Sequence, residues 1–339
     1  RNARHAGPGC KPALNRSVIA GFATPGGTHR PASPHEVLHP MNSARALLAA
    51  TALLAPSLAC ARSPLSVTLG AGVQYDSNIS IEEADIPTRR GDEALLLQAS
   101  VQLTAADSKK STLRFGYSFD DERNRKLGQV DITFHAASAS LTRRIGRVAL
   151  GADYQFSHVL LGGQPYLDIH SVSPSVSGFV DRNLYLRLGA TYQHKNFTRV
   201  DPLDADTTLV SLDGYRFFAR RKGYVALGLR ADSERTNAAQ YRFGAVQGSL
   251  RVQVPVKLGK AAIKARAGLV YQEREYLAPF PSIGTERHET RLTLSAGLEV
   301  PVIKGVTLRP QARYIDRHSN VAFYDYREHV LSMTATLKL

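Results

Sequence analysis

From Leu65 to the end of the chain, apolar and polar side chains alternate at nearly every second position. A period of two places one set of side chains on each face of an extended strand. The clearest run is 291–300. Leu292, Leu294, Ala296, Leu298 and Val300 share one face, and Arg291, Thr293, Ser295, Gly297 and Glu299 share the other. The same pattern sets Leu113, Phe115, Tyr117 and Phe119 against Thr112, Arg114, Ser118 and Asp120, and Leu184, Leu186 and Leu188 against Tyr185 and Arg187. Fourteen such segments are predicted, near 65–78, 92–106, 111–121, 129–144, 147–160, 165–180, 183–198, 204–219, 223–236, 240–257, 261–276, 286–301, 305–318 and 323–339. Those near 165–180 and 204–219 alternate poorly, which leaves twelve as the alternative count.

The connections differ by side. Tight turns are predicted at 107–110, 145–146, 181–182, 220–222, 258–260 and 303–304, and longer loops at 79–91, 199–203 and 277–285. Short turns on one side and long loops on the other is the layout of an outer-membrane barrel, with short turns and both termini facing the periplasm. A soluble β-sandwich also alternates, but its strands run to about 5–6 residues. Most of these run well beyond that, long enough for a tilted strand to cross a bilayer, and lipid requires that the sheet close on itself. The predicted fold is all-β: a transmembrane, antiparallel, up-and-down β-barrel.

Composition agrees. The 339 residues are 43% hydrophobic and 21% charged, with a mean hydropathy of −0.21. No window approaches the roughly 18 consecutive apolar residues of a spanning helix. The first forty residues are rich in Pro, Gly, Ala, Arg and His and show no periodicity. Met41–Arg45 then reads as the basic start of a signal peptide, 46–55 as its apolar stretch, and Ala59-Cys60-Ala61 as a small-x-small cleavage site. The expected organisation is an upstream extension over 1–40, a signal peptide over 41–61 and the barrel over 62–339. Lipidation at Cys60 is the weaker alternative, because Ser57 stands where a larger apolar residue is usual. Both cysteines, Cys10 and Cys60, precede the expected mature protein, which suits export into an oxidising periplasm. Residues 1–61 carry six basic residues and one acidic residue, so the net charge of +14 falls to +9 once they are removed.

The remaining basic residues are spread singly along the strands rather than gathered in a patch, which argues against a nucleic-acid partner. Ten charged side chains are expected to line a pore: Arg114, Arg187, Arg230, Arg251, Lys264, Arg266, Arg291, Glu299, Arg309 and Arg313. A basic lumen would favour anions. Equally, arginine–carboxylate pairs could latch the wall, since buried charges normally pair. Aromatics late in the upward strands, Tyr117, Phe119, Tyr154, Phe156, Tyr192, Tyr271 and Tyr314, with Tyr75, Phe197 and Tyr276, are expected to form an interfacial girdle near the long loops. His135 and His158 lie in strands without a convincing catalytic triad, and His288-Glu289 lacks the second histidine of a zinc helix. No enzyme activity, cofactor or metal is expected.

Two stretches carry a family resemblance. Tyr75-Asp76-Ser77-Asn78 closes the first strand, and Ser319, Asn320, Phe323, Tyr324, Tyr326 and Arg327 open the last, after Leu308-Arg309-Pro310 and Arg313-Tyr314. Together they resemble the C-terminal barrel domain of the surface lipoprotein assembly modifier (Slam) family. The resemblance implies a fourteen-stranded outer-membrane barrel, implicated in moving lipoproteins to the cell surface, with a client surface lipoprotein as a partner. Family members usually carry tetratricopeptide repeats before the barrel, and no 34-residue helical repeat occurs here. The readings are therefore a Slam-like conduit, a diffusion porin with anion preference, or an outer-membrane enzyme or structural barrel. Outer-membrane lipids, lipopolysaccharide and the barrel-assembly machinery are the expected surroundings.

Overall fold

The computed structural model describes residues 64–81, 86–259 and 261–339. The extension over 1–40, the signal peptide over 41–61 and both cysteines lie outside the described residues. The strands are β1 (Leu65–Asp76), β2 (Ser80–Ile81), β3 (Ile86–Pro87), β4 (Asp92–Asp107), β5 (Ser111–Asn124), β6 (Ile132–Ile145), β7 (Val148–Leu161) and β8 (Gln164–Phe179). They continue as β9 (Leu184–Phe197), β10 (Ala205–Phe218), β11 (Gly223–Thr236), β12 (Phe243–Leu258), β13 (Ala261–Pro279), β14 (Glu286–Ile303), β15 (Val306–Ser319) and β16 (Tyr326–Lys338). All except β2 and β3 form one closed antiparallel barrel of fourteen strands, each paired with its neighbours in the chain. The barrel closes where β1 pairs with β16, from Thr68 opposite Lys338 to Asp76 opposite Val330.

The segments near 165–180 and 204–219 are full strands, β8 and β10, so the count is fourteen. Their alternation is blurred because several inward positions, such as Leu167, Ile169 and Phe217, are themselves apolar. A strand of fourteen residues runs about 46 Å along its axis. Tilted by about 40°, it keeps roughly 35 Å of height, enough for a hydrocarbon core of about 30 Å. The outward side chains suit that solvent. Leu227 and Leu229 are 63% and 65% exposed, beside Val210, Leu212, Val246 and Leu250. This continuous apolar belt is the lipid-facing surface of an outer-membrane-type barrel.

One end carries tight turns, such as Gly146-Arg147 and Lys304-Gly305. The other carries connections of six residues or more, with one exception. Between β7 and β8 the loop is only Gly162-Gly163, both left-handed (φ 56° and 76°), the two-residue turn that glycine permits. At this loop end the mouth is capped. Ile79 and Ile81 from the β1–β4 connection pack with Leu127, Val130 and Leu203 from other loops. Beneath them lie the inward ends of Val159, Leu167, Ile169 and Phe197. The β2–β3 ribbon is tied down by Ser80, whose hydroxyl donates to Glu328 (2.5 Å), and by Arg89, which donates to the carbonyl of Ala322 (2.7 Å).

Candidate functional site

Cross-strand registers assign each side chain to a face. Arg114 is opposite Ser140, Arg187 opposite Ser177, and Arg230 opposite Gln247. Arg251 is opposite Gly268, Lys264 opposite Glu299, and Arg291 opposite Arg317. All of these positions, with Arg266, Arg309 and Arg313, share the inner face. The structure thus places the ten charged residues singled out in the sequence on one surface, the wall of the lumen. Below the cap this wall encloses a cavity of about 770 Å³. Eight of its lining side chains are cationic and four are anionic, among serine, threonine and glutamine.

The wall charges form short-range pairs. Lys195 contacts Glu234 at 2.7 Å, Arg230 contacts Asp232 at 3.3 Å, and Arg187 contacts Asp153 at 3.7 Å. Arg251 contacts Asp213 at 2.7 Å. Pairing reconciles the two expectations for this face. Acids hold several of the arginines in place, and the cavity still keeps more cations than anions. Arg114 projects into it with no ion-pair partner among the described residues. Nearer the turn end, Glu299 alone serves three cations: Arg266 at 2.8 Å, Lys264 at 3.0 Å and Arg309 at 3.6 Å. The carboxylate is nearly covered, at 12% side-chain exposure, while Lys264 and Arg266 remain about half exposed at 49% and 48%.

Several residues under the cap carry no obvious sequence signal. Arg287 is 1% exposed and lies between the rings of Tyr276 (3.7 Å) and Tyr324 (3.9 Å). It donates to the Tyr276 hydroxyl and pairs with Glu289 at 3.1 Å, and Glu289 also accepts from Arg317 at 2.5 Å. Two stacked rings and a shared carboxylate offset the desolvation of a buried guanidinium. Tyr276 and Phe197 were expected in the outer girdle and instead face inward, each 2% exposed. Phe197 stands in the register of Arg187 and Tyr276 in that of Arg266, so alternation itself turns both inward, away from Tyr192 and Tyr271; near the loop end the cap gives them an apolar interior.

The other girdle residues, Tyr75, Tyr117, Phe119, Tyr154, Phe156, Tyr192, Tyr271 and Tyr314, face outward. They meet a row of outward histidines and acids. The Tyr117 hydroxyl lies 2.8 Å from Nδ1 of His135, and that of Tyr154 lies 2.9 Å from Nδ1 of His170. Tyr192 donates to Asp206 at 2.6 Å. His158 pairs with Asp168 at 2.6 Å.

The two family-like stretches come together across the closing seam. Asp76 accepts from the backbone N–H of Asn78 (2.8 Å), and the Asn78 amide donates to the carbonyl of Arg327 (3.3 Å). The His329 N–H donates to the Ser77 hydroxyl at 2.8 Å. Asn320 donates to the carbonyl of Glu286 and accepts from the N–H of His288, both at 2.9 Å. Ser319 accepts from the N–H of Val321 at 3.2 Å. Tyr324 and Tyr326 are buried and Phe323 is exposed beside Arg89. In this chain these residues tie β1 to β16 and brace the neighbouring loop.

A second feature stands out at the turn end. Phe179, Tyr185, Tyr215, Phe217 and Tyr224 all point into the lumen as one contiguous set of rings, with centroids 5.1–6.3 Å apart. Only Tyr185 was legible beforehand, because it shares the polar register with Arg187.

The sequence matches no protein-family model, and no curated protein is similar to it. Solved outer-membrane barrels do resemble it. The anion-selective porin from Comamonas acidovorans is 9% identical, with 81% of this chain and 98% of that chain covered and a TM-score of 0.49. A loop L8 deletion of OmpT, an outer-membrane protein of Vibrio cholerae, is 9% identical over 81% and 99%, with a TM-score of 0.47. OccAB3 of Acinetobacter baumannii is 10% identical over 81% and 99%, with a TM-score of 0.45. These are similarities at the level of a barrel only.

Proposed function

We propose that the barrel is a gated outer-membrane channel for small anions. The carrying observation is the cavity beneath the cap, whose lining holds eight cations against four acids, and against six once Glu289 and Glu328, the partners of Arg287 and Arg313 just behind it, are counted. A low-dielectric wall with surplus positive charge raises the local concentration of anions. The volume, about 770 Å³, falls within the roughly 300–1,000 Å³ of small-molecule sites. In this reading the loop end faces outward, and the apolar cap is the closed state of the gate.

The test is ion selectivity in planar bilayers under a salt gradient, on protein whose cap has been loosened by Ile79→Ala/Ile81→Ala. A reversal potential of anion-selective sign is expected. Adding Arg114→Glu and Arg291→Glu, which removes the cavity's excess of positive charge, should abolish that preference. Cation selectivity before those changes, or no response to them, would overturn the reading.

A translocation pore of the Slam type is a second reading, favoured by the two motif stretches that meet across the seam. Its test is deletion of the gene followed by surface labelling of candidate lipoproteins. The modest volume of the cavity favours the small-solute reading.

A further inference from the structure

The aromatic patch at the turn end is larger than a wall of small polar residues needs, and its placement relative to charge is specific. Along one inner row, Phe217 pairs with Tyr224, Tyr224 with Gln253, and Gln253 with Arg266. The ring face therefore runs directly, strand by strand, into the three cations that share Glu299. One carboxylate among Lys264, Arg266 and Arg309 leaves positive charge on half-exposed side chains. Arg251 lies 5.6 Å above the Tyr215 ring and donates to its hydroxyl at 3.3 Å.

The opposite border is also cationic. Arg221 stands 4.5 Å over the Phe179 ring and donates to the carbonyl of Arg182. Ala219, Arg220 and Arg221 adopt three successive left-handed conformations, with φ of 49°, 56° and 65°. Such backbone is costly for residues with a Cβ, and it persists only where surrounding contacts hold it. Here it delivers a guanidinium to the rim of the ring patch.

The rings are mostly inclined to one another: 59° for Phe179–Tyr185, 62° for Tyr185–Tyr215 and 64° for Tyr215–Tyr224. Edge-to-face packing of this kind is the arrangement that another aromatic ring continues. A sugar is better served by a ring lying flat along the wall. The surrounding cations supply the partner for a carboxylate, and planar guanidinium matches carboxylate geometry.

We infer that this patch is a binding site for small aromatic carboxylates, at the turn end of the lumen. The inference rests on the channel reading above and names a solute class for it. A ring would pack against Tyr224 and Phe217 while its carboxylate reaches Arg266 and Lys264.

The test uses the full barrel folded in detergent micelles, with benzoate as the probe and saturation-transfer NMR and calorimetry as readouts. Benzoate should bind, while benzyl alcohol, lacking the charge, and glucuronate, lacking the aromatic ring, should bind at least about tenfold more weakly. Phe217→Ala/Tyr224→Ala and, separately, Arg266→Gln should each weaken benzoate about tenfold. The heat-modifiable gel shift of each variant checks that it has folded. If Phe217→Leu/Tyr224→Leu, which keeps apolar bulk without aromatic rings, binds benzoate as tightly as the parent, the inference is overturned. Preferential binding of glucuronate, or benzoate binding indifferent to Arg266, also overturns it. Chloride selectivity is read separately on the same protein, so loss of benzoate binding with retained anion selectivity rejects this site and leaves the channel standing.

Discussion

The cap over the loop end makes the sharpest prediction. Ile79 and Ile81 are 5% and 4% exposed, and both come from a connection rather than from the barrel wall. Replacing both with alanine removes three buried carbons from each, or about 5 kcal/mol in total at ~0.8 kcal/mol per buried CH₂. A released loop still buries part of that surface, so about 3–5 kcal/mol is the useful range. At 1.4 kcal/mol per decade, the closed-to-open ratio falls roughly a hundred- to several-thousandfold. The barrel itself should stay folded, because its ladder of strand pairs is untouched. Single-channel recording reads the open fraction. Amide exchange reads the loop, through the Ile79 N–H bonded to Arg90 (3.0 Å) and the Thr88 N–H bonded to Ile79 (2.8 Å). Both amides should exchange faster as conductance rises. Faster exchange with unchanged conductance would show that the cap does not gate the lumen. Unchanged exchange would show that these two side chains do not hold it.

Three further outcomes follow from the same physics. Leu229→Arg, at the most exposed point of the outer belt near mid-strand, should cost about 2–4 kcal/mol of folding free energy into bilayers; no loss would mean that this face does not meet hydrocarbon. Arg287→Met keeps side-chain bulk but strips Glu289 of one partner, and should lower stability by about 3 kcal/mol in denaturant titration, the low end for a broken buried pair because Arg317 remains. In the β8–β9 turn, backbone N–H groups of Asn183 and Leu184, together with Arg216, stabilise the Asp181 carboxylate and hold its pKa below the ordinary value. Its contribution is therefore present above the ordinary carboxyl pKa and lost as pH falls through the lowered one; exchange at the Asn183 and Leu184 amides should quicken on acidification, and Asp181→Ala should remove that pH dependence.

The strands, their faces and the basic inner wall were legible in the sequence, because alternation is a local property. A side chain two positions from another points the same way whatever the rest of the chain does, so Arg114, Arg266 and Arg313 could be assigned together without knowing their neighbours. Strand ends were less legible. Phe197 and Tyr276 differ in parity from Tyr192 and Tyr271, so alternation points them inward and only their aromatic character suggested the girdle; the loop packing that covers them there has no mark in the strand pattern. The motif residues read as a family signature, while their work in this chain, hydrogen bonding across a seam between positions about 250 residues apart, has no local mark.

The sequence by itself determined that this chain is a sheet with one oily and one charged face, since period-two patterning depends only on backbone geometry. Only the tertiary structure decided what the charged face does. Closure set which arginine meets which carboxylate, brought the loops together over one mouth, and gathered five rings from four strands beside the Glu299 cluster. Those contacts are long-range, and their positions depend on barrel register and loop course, which no short window of sequence contains.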